Sequence, residues 1–177
     1  TANLAAMLAF ESKRVCVIDT DIQSPGIHVL FGLEGEKVTS SLNDFLWSGR
    51  AIEDVAIDVT PSAVKEKSGQ IYLVPSSIKP GEISRVLREG YDVGLLNDGF
   101  RNLIQALNLD VLMIDTHPGL NEETLLSIAI SDVLVIIMRP DQQDYQGTSV
   151  TVDVARKLGV PAMYLLVNKV PQVIQAA

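Results

Sequence analysis

Two short apolar runs each end on aspartate, and this pairing limits what the chain can fold into more than any other feature. Val15-Cys16-Val17-Ile18 closes on Asp19-Thr20-Asp21, and Val111-Leu112-Met113-Ile114 closes on Asp115-Thr116-His117-Pro118-Gly119. Each then opens into a turn containing Pro and Gly, the first at Gln23-Ser24-Pro25-Gly26. Neither run alternates apolar with polar residues. Such runs predict strands buried on both faces, hence a parallel sheet flanked by helices. In that kind of sheet the carboxyl ends of the strands form the crevice where ligands bind. Two carboxylate clusters in one crevice suit a magnesium nucleotide and the water that attacks it.

The rest of the chain alternates in the same way. Strands are expected over 14–19, 71–74, 110–115, 132–138 and 162–167. Helices are expected over 2–12, 79–88, 121–130 and 143–158, with a short helical piece over 41–47. A further helix is marked by Phe100, Leu103, Ile104 and Leu107, whose spacing is that of one helix face. The alternation predicts an α/β, doubly wound, mostly parallel sheet with helices on both faces and right-handed crossovers. The stretch 34–69 is the least regular and the most open to partner contacts.

A chain of 177 residues fits one domain. It opens on Thr1, inside a helix-like run, and ends in Val173-Ile174-Gln175-Ala176-Ala177 with no capping residue. We therefore expect a single nucleotide-binding domain over 1–177, truncated at both ends and internal to a longer protein.

Composition excludes several function classes. With 14 basic against 22 acidic side chains, a net charge of −8 and no Lys/Arg run longer than two, the segment is a poor nonspecific binder of DNA or anionic lipid. Cys16 is the lone cysteine and sits in an apolar strand, so no internal disulfide or multi-cysteine cage is available. His28 and His117 with that cysteine are too few for a zinc site. No G-x-S-x-G elbow occurs for a serine hydrolase. The apolar runs are too short to span a bilayer, and a cytoplasmic location is expected.

Three motifs carry a family resemblance that covers essentially the whole chain. The opening Thr1-Ala2-Asn3-Leu4-Ala5 looks like the helix that follows a phosphate-binding loop. The strand at 14–18 with Asp19-Thr20-Asp21-Ile22-Gln23-Ser24-Pro25-Gly26-Ile27-His28 resembles switch I of the MinD/ParA family of deviant-Walker ATPases. Asp115-Thr116-His117-Pro118-Gly119-Leu120 resembles its switch II, and Leu165-Leu166-Val167-Asn168-Lys169 its adenine-binding strand end. The motifs occur in family order. The resemblance implies a P-loop NTPase fold of the SIMIBI type. The family's phosphate loop, K-G-G-x-G-K-[ST]-T, would precede Thr1 and is not in this sequence, so the 177-residue segment alone is expected to be inactive.

By the same resemblance, Asp115 is the Walker-B carboxylate that holds Mg2+ through a water, and Asp21 orients the attacking water as the catalytic residue. Asp19 supports the metal's water shell or the phosphate loop. Gly119 offers its N–H to the γ-phosphate or hinges the switch, unless it is a plain Pro-Gly turn. Asn168 reads adenine, unless it merely caps a strand end. Pro140, in Arg139-Pro140-Asp141, closes the strand after switch II and joins the nucleotide-binding set; Arg139 contacts nucleotide or dimer, a surface ion pair being the commoner outcome.

The implied activity is hydrolysis of ATP to ADP and phosphate in a homodimer closed on two ATP molecules, a switch for division-site selection or for partition of chromosome, plasmid or cargo. A protein activator or cargo adaptor is implied, with membrane or DNA contact through segments outside this sequence, and no zinc or iron–sulfur cluster. The stretch 21–32 reads closer to the MinD branch. The alternatives are a non-hydrolysing regulatory module of the same fold, an iron–sulfur carrier-type ATPase or a polysaccharide-export tyrosine kinase.

Overall fold

The computed structural model describes residues 1–34 and 37–171. The uncapped end expected at 173–177 lies outside them, as do Gly35 and Glu36 within the irregular stretch 34–69. The chain divides into two compact units, Thr1–Pro118 and Gly119–Ala177.

The first unit runs α1 (Ala2–Phe10), β1 (Arg14–Asp19), α2 (Ile27–Leu30), α3 (Leu42–Ser48), a 3-10 turn at Glu53–Val55, β2 (Ile57–Asp58), α4 (Ser62–Lys65), β3 (Gln70–Val74), α5 (Pro80–Glu89), α6 (Val93–Ala106) and β4 (Val111–Asp115). Its sheet has the order β2-β3-β1-β4. β1 pairs in parallel with β3 on one side and β4 on the other. That central place is what its unbroken apolar run requires, and Val15, Cys16, Val17 and Ile18 are all fully buried. Burial also pushes the Cys16 thiol up, which keeps it protonated and unreactive.

Helix α1 seats on this strand through its smallest side chains. Ala5 and Ala9 are buried in one cluster with Val15, Val17, Ile71 and Leu73. Gly69 marks the tightest approach: a Cβ there would stand 1.8 Å from the carbonyl oxygen of Ala9. On α6 the buried stripe is Leu96, Gly99, Phe100 and Leu103. The helical spacing is as expected but begins one turn earlier. Ile104 stays exposed and Leu107 lies past the helix end. Trp47 is half-buried, with the Arg85 guanidinium 5.4 Å over its ring and Tyr91 edge-on at 6.3 Å.

The two-residue strand β2 pairs antiparallel with β3 and was not expected. Two residues carry no detectable period, and the edge position asks for none.

The second unit runs α7 (Glu122–Ile130), β5 (Val133–Met138), α8 (Gln142–Leu158) and β6 (Ala162–Val167). Both helices begin at side-chain caps, Asn121 accepting from the Thr124 N–H and Asp141 from the Asp144 N–H. β5 and β6 form a parallel two-stranded sheet, from Val133 opposite Ala162 to Met138 opposite Val167. Their apolar runs predict burial on both faces, yet Val133, Val135, Ile137 and Tyr164 through Val167 are exposed. Burial of these faces depends on the helices that cover them, and within this unit α7 and α8 leave these side chains uncovered. The fold class is as expected: α/β with a mostly parallel sheet. Among the described residues no helix is long and apolar enough to cross a membrane.

Candidate functional site

Parallel pairing in register brings the two aspartate motifs together. Asp19 and Asp115 are Cα partners at the carboxyl ends of β1 and β4. A cavity of about 350 Å³ opens there, lined by Asp19, Asp21 and Asp115 with Thr1, Ser24, Gly26 and Leu30 among its walls. The expected triad of carboxylates is therefore one site within the first unit.

Local hydrogen bonds fix the carboxylates. The Asp21 N–H donates to Asp19 Oδ1 at 3.0 Å, and the Ser24 N–H donates to Asp21 Oδ1 at 3.0 Å. These are Asx-type turns, which bend the chain away from the strand just where Pro25-Gly26 continues the turn. Thr1 Oγ1 donates to Asp115 Oδ1. The Thr20 N–H and hydroxyl both donate to the Asp115 carbonyl at 2.9 Å, and the Ser76 hydroxyl donates to the Asp19 carbonyl at 2.7 Å.

Asp19 is the strained charge of the group. It is 1% exposed, and its Oδ2 is buried without a hydrogen-bond partner. Burial pushes its carboxyl up to about 7, against a pull from the Asp21 N–H, and the nearby Asp115 and Asp21 charges push it further. An unpartnered buried carboxylate oxygen beside a second carboxylate is what a cation would relieve. Among the described residues no group of three or more His, Cys, Asp or Glu is placed to hold a metal alone. Magnesium takes one or two carboxylates plus waters and substrate phosphates, and Asp19 and Asp115 are the two carboxylates that could hold it at this strand end.

The other expected site residues belong to the second unit. Gly119 has φ +112°, a conformation that L side chains rarely adopt, and opens the segment before α7. Pro140 is exposed just past β5. Beside it Arg139 forms a forked ion pair with Asp144, Nε to Oδ2 at 3.1 Å and a terminal nitrogen to Oδ1 at 3.0 Å. Hydrogen bonds from this guanidinium hold the Asp144 carboxyl down at about 2. The surface ion pair is thus the outcome at Arg139. Asn168 is exposed at the end of β6, where its Oδ1 accepts from the Lys169 N–H at 2.9 Å and its own N–H donates to Met138 at 2.7 Å.

Two residues at the first-unit site went unnoticed in the sequence, Thr20 and Ser76. Thr20 had a signal, a hydroxyl standing between two carboxylates at a strand end. Ser76 had none, because its partner lies on a strand far away in sequence.

Comparison with known proteins places these features in context. A family model described as an AAA domain matches residues 1–159. An uncharacterised ATP-binding protein of Methanocaldococcus jannaschii is 27% identical over 178 residues, covering 96% of this chain and 58% of the relative. An iron–sulfur cluster carrier protein of the same organism is 29% identical over 171 residues, covering 95% of this chain and 53% of the relative. The chain thus spans just over half the length of these curated relatives. Among solved structures, the septum site-determining protein MinD complexed with Mg-ADP from Pyrococcus horikoshii superposes with a TM-score of 0.77 at 18% identity, over 97% of this chain and 64% of that one.

Proposed function

Because the chain belongs to the MinD/ParA family of P-loop ATPases, we propose that its strand-end cavity is the metal and hydrolytic side of an ATP site. The whole protein then works as an ATP-dependent dimerisation switch. The observation that carries this reading is the register pairing of Asp19 with Asp115, with Asp21 on the same cavity.

In this reading Asp115 and Asp19 would hold Mg2+, Asp115 through a water and Asp19 through its unpartnered oxygen or its water shell. Bound magnesium supplies charge neutralisation to the phosphates. Asp21, anchored through one oxygen by Ser24, orients the water for in-line attack at the γ-phosphate, a reaction that needs positioning and charge more than covalent chemistry. Gly119, Pro140 and Asn168 are assigned to the nucleotide on the motif resemblance, and the two units are taken together as one nucleotide-binding domain. The phosphate-binding loop comes from sequence outside these residues.

The proposed biological role is spatial positioning, such as division-site selection or cargo partition, in a homodimer released by hydrolysis and timed by a protein activator. We place it in the cytoplasm, with peripheral membrane contact through other segments. Lipid pelleting of the full-length protein with and without ATP tests the MinD-like lean, and absence of ATP-dependent pelleting counts against it.

The iron–sulfur carrier among the relatives supports a second reading. Carriers of that kind need cysteines that can reach a cluster, whereas Cys16 is buried in β1. Any such ligands would have to come from beyond this sequence.

The deciding experiment is calorimetry of ATP with magnesium on this chain beside a version extended through the amino-terminal loop. Binding by the extended form alone supports the ATPase reading. Binding by neither turns the choice to a regulatory module and leaves Asp21 and Asp115 as structural strand ends.

A further inference from the structure

The peptide unit joining Asp19 to Thr20 is clamped at both ends. Its carbonyl accepts from the Ser76 hydroxyl at 2.7 Å, and its N–H donates to the Asp115 carbonyl at 2.9 Å. The Thr20 hydroxyl then donates to that same Asp115 carbonyl, also at 2.9 Å. Thr20 is 5% exposed and Ser76 fully buried, so neither bond competes with water.

The second bond to Asp115 has a specific consequence. A carbonyl oxygen has two acceptor sites, and Thr20 fills both from one residue. A β-branched side chain held this way has one rotamer, and the backbone is fixed in rotation as well as in distance. The next residue is Asp21, whose N–H already binds Asp19 and whose carboxylate lines the cavity. The tie one residue before it therefore fixes the backbone from which Asp21 projects, while the Ser24 N–H holds one oxygen of its carboxylate.

We propose that Thr20 is a positioning residue for hydrolysis, locking the link between the two aspartates to the Asp115 carbonyl so that the Asp21 carboxylate keeps its aim. This rests on the ATPase reading, and Thr20→Ser set against Thr20→Val decides it. Thr60 serves as the comparison, since its hydroxyl also binds the backbone of a distant strand, accepting from the Ile71 N–H at 2.9 Å, and lies away from the cavity.

In the full-length protein, Thr20→Val should lower kcat for ATP roughly tenfold while KM stays within about twofold, because small misplacements of a reacting group cost rate more than binding. Thr20→Ser restores the hydroxyl and should recover most of the rate. Thr60→Val should cost similar thermal stability with no loss of kcat. Parental kcat in Thr20→Val, or a Thr20→Ser enzyme as slow as the valine variant, overturns the proposal. If the parent itself shows no magnesium-dependent turnover, the ATPase reading fails, and amide hydrogen exchange then judges the tie alone. Faster exchange over residues 20–24 in Thr20→Val but not in Thr60→Val then shows a tie that orders the turn without serving hydrolysis; equal exchange removes the tie as well.

Discussion

Asp19 and Asp115 are register partners on adjacent parallel strands, so two like charges share one strand end. Asp19 is buried where Asp115 is only half so, and burial first, then the Asp115 charge, pushes the Asp19 carboxyl up.

A pH dependence follows for the metal-free protein. The folded Asp19 carboxyl titrates near 7, above the ordinary 3.8, so the folded state holds this proton longer than the unfolded chain does. Its contribution is full below about pH 4 and is lost as pH rises through about 7, on the order of a few kcal/mol in all. Asp19→Asn should remove that decline and be the more stable protein at pH 8. Denaturant melts of both across this range provide the check, and parallel pH profiles would contradict it.

Magnesium should act in the opposite direction at the same residue. Metal binding near pH 7 should release a proton, because the cation requires the ionised carboxylate. Calorimetric titrations in two buffers of different ionisation enthalpy measure that proton directly.

Asp21→Ala in the full-length protein should abolish turnover while leaving ATP binding and dimer formation intact. Size-exclusion chromatography under saturating ATP reads the dimer. A monomeric variant would remove Asp21 from the water-orienting role.

Asn168→Ala should weaken ATP more than it weakens inorganic phosphate analogues if the side chain reads the base. The substitution also removes the bond to the Lys169 N–H, where the backbone takes a positive φ of 54°, so stability falls slightly, by about 1 kcal/mol or less. Equal loss for both ligands would leave Asn168 as a turn residue only.

Gly69→Ala should be the most damaging of these changes although it touches no ligand. The new methyl would overlap the Ala9 carbonyl, and forcing α1 away from the start of β3 should cost about 3 kcal/mol or more. A melting temperature within a degree of the parent would show that the helix can shift freely.

The five long strands and the main helices were legible because each carries several apolar residues at one period. That the two aspartate motifs share one crevice was legible too, since both close buried runs and a parallel sheet collects such ends on one edge; their direct register pairing was not. β2 was not, having only Ile57 and Asp58 to announce it. Burial on β5 and β6 was misjudged because composition reports what a strand could bury, whereas neighbours decide what it does. Thr20 and Ser76 stayed hidden for a related reason: a hydroxyl's value depends on which carbonyl lies opposite, and here that partner is supplied by another strand.

The order of the four-stranded sheet also sets the order in which the protein can be built. β1 precedes both of its partners in the chain, so Val15 must wait for Ile71 on one side and for Val111 on the other. No hairpin inside β1's own neighbourhood can shelter it meanwhile, and pairings this distant in sequence form slowly. Until Val111–Asp115 arrives, one edge of the most deeply buried strand of this sheet is open to other chains. The acidic pocket draws on the ends of both β1 and β4, so it cannot be complete before those strands have paired, and its completion reports that pairing.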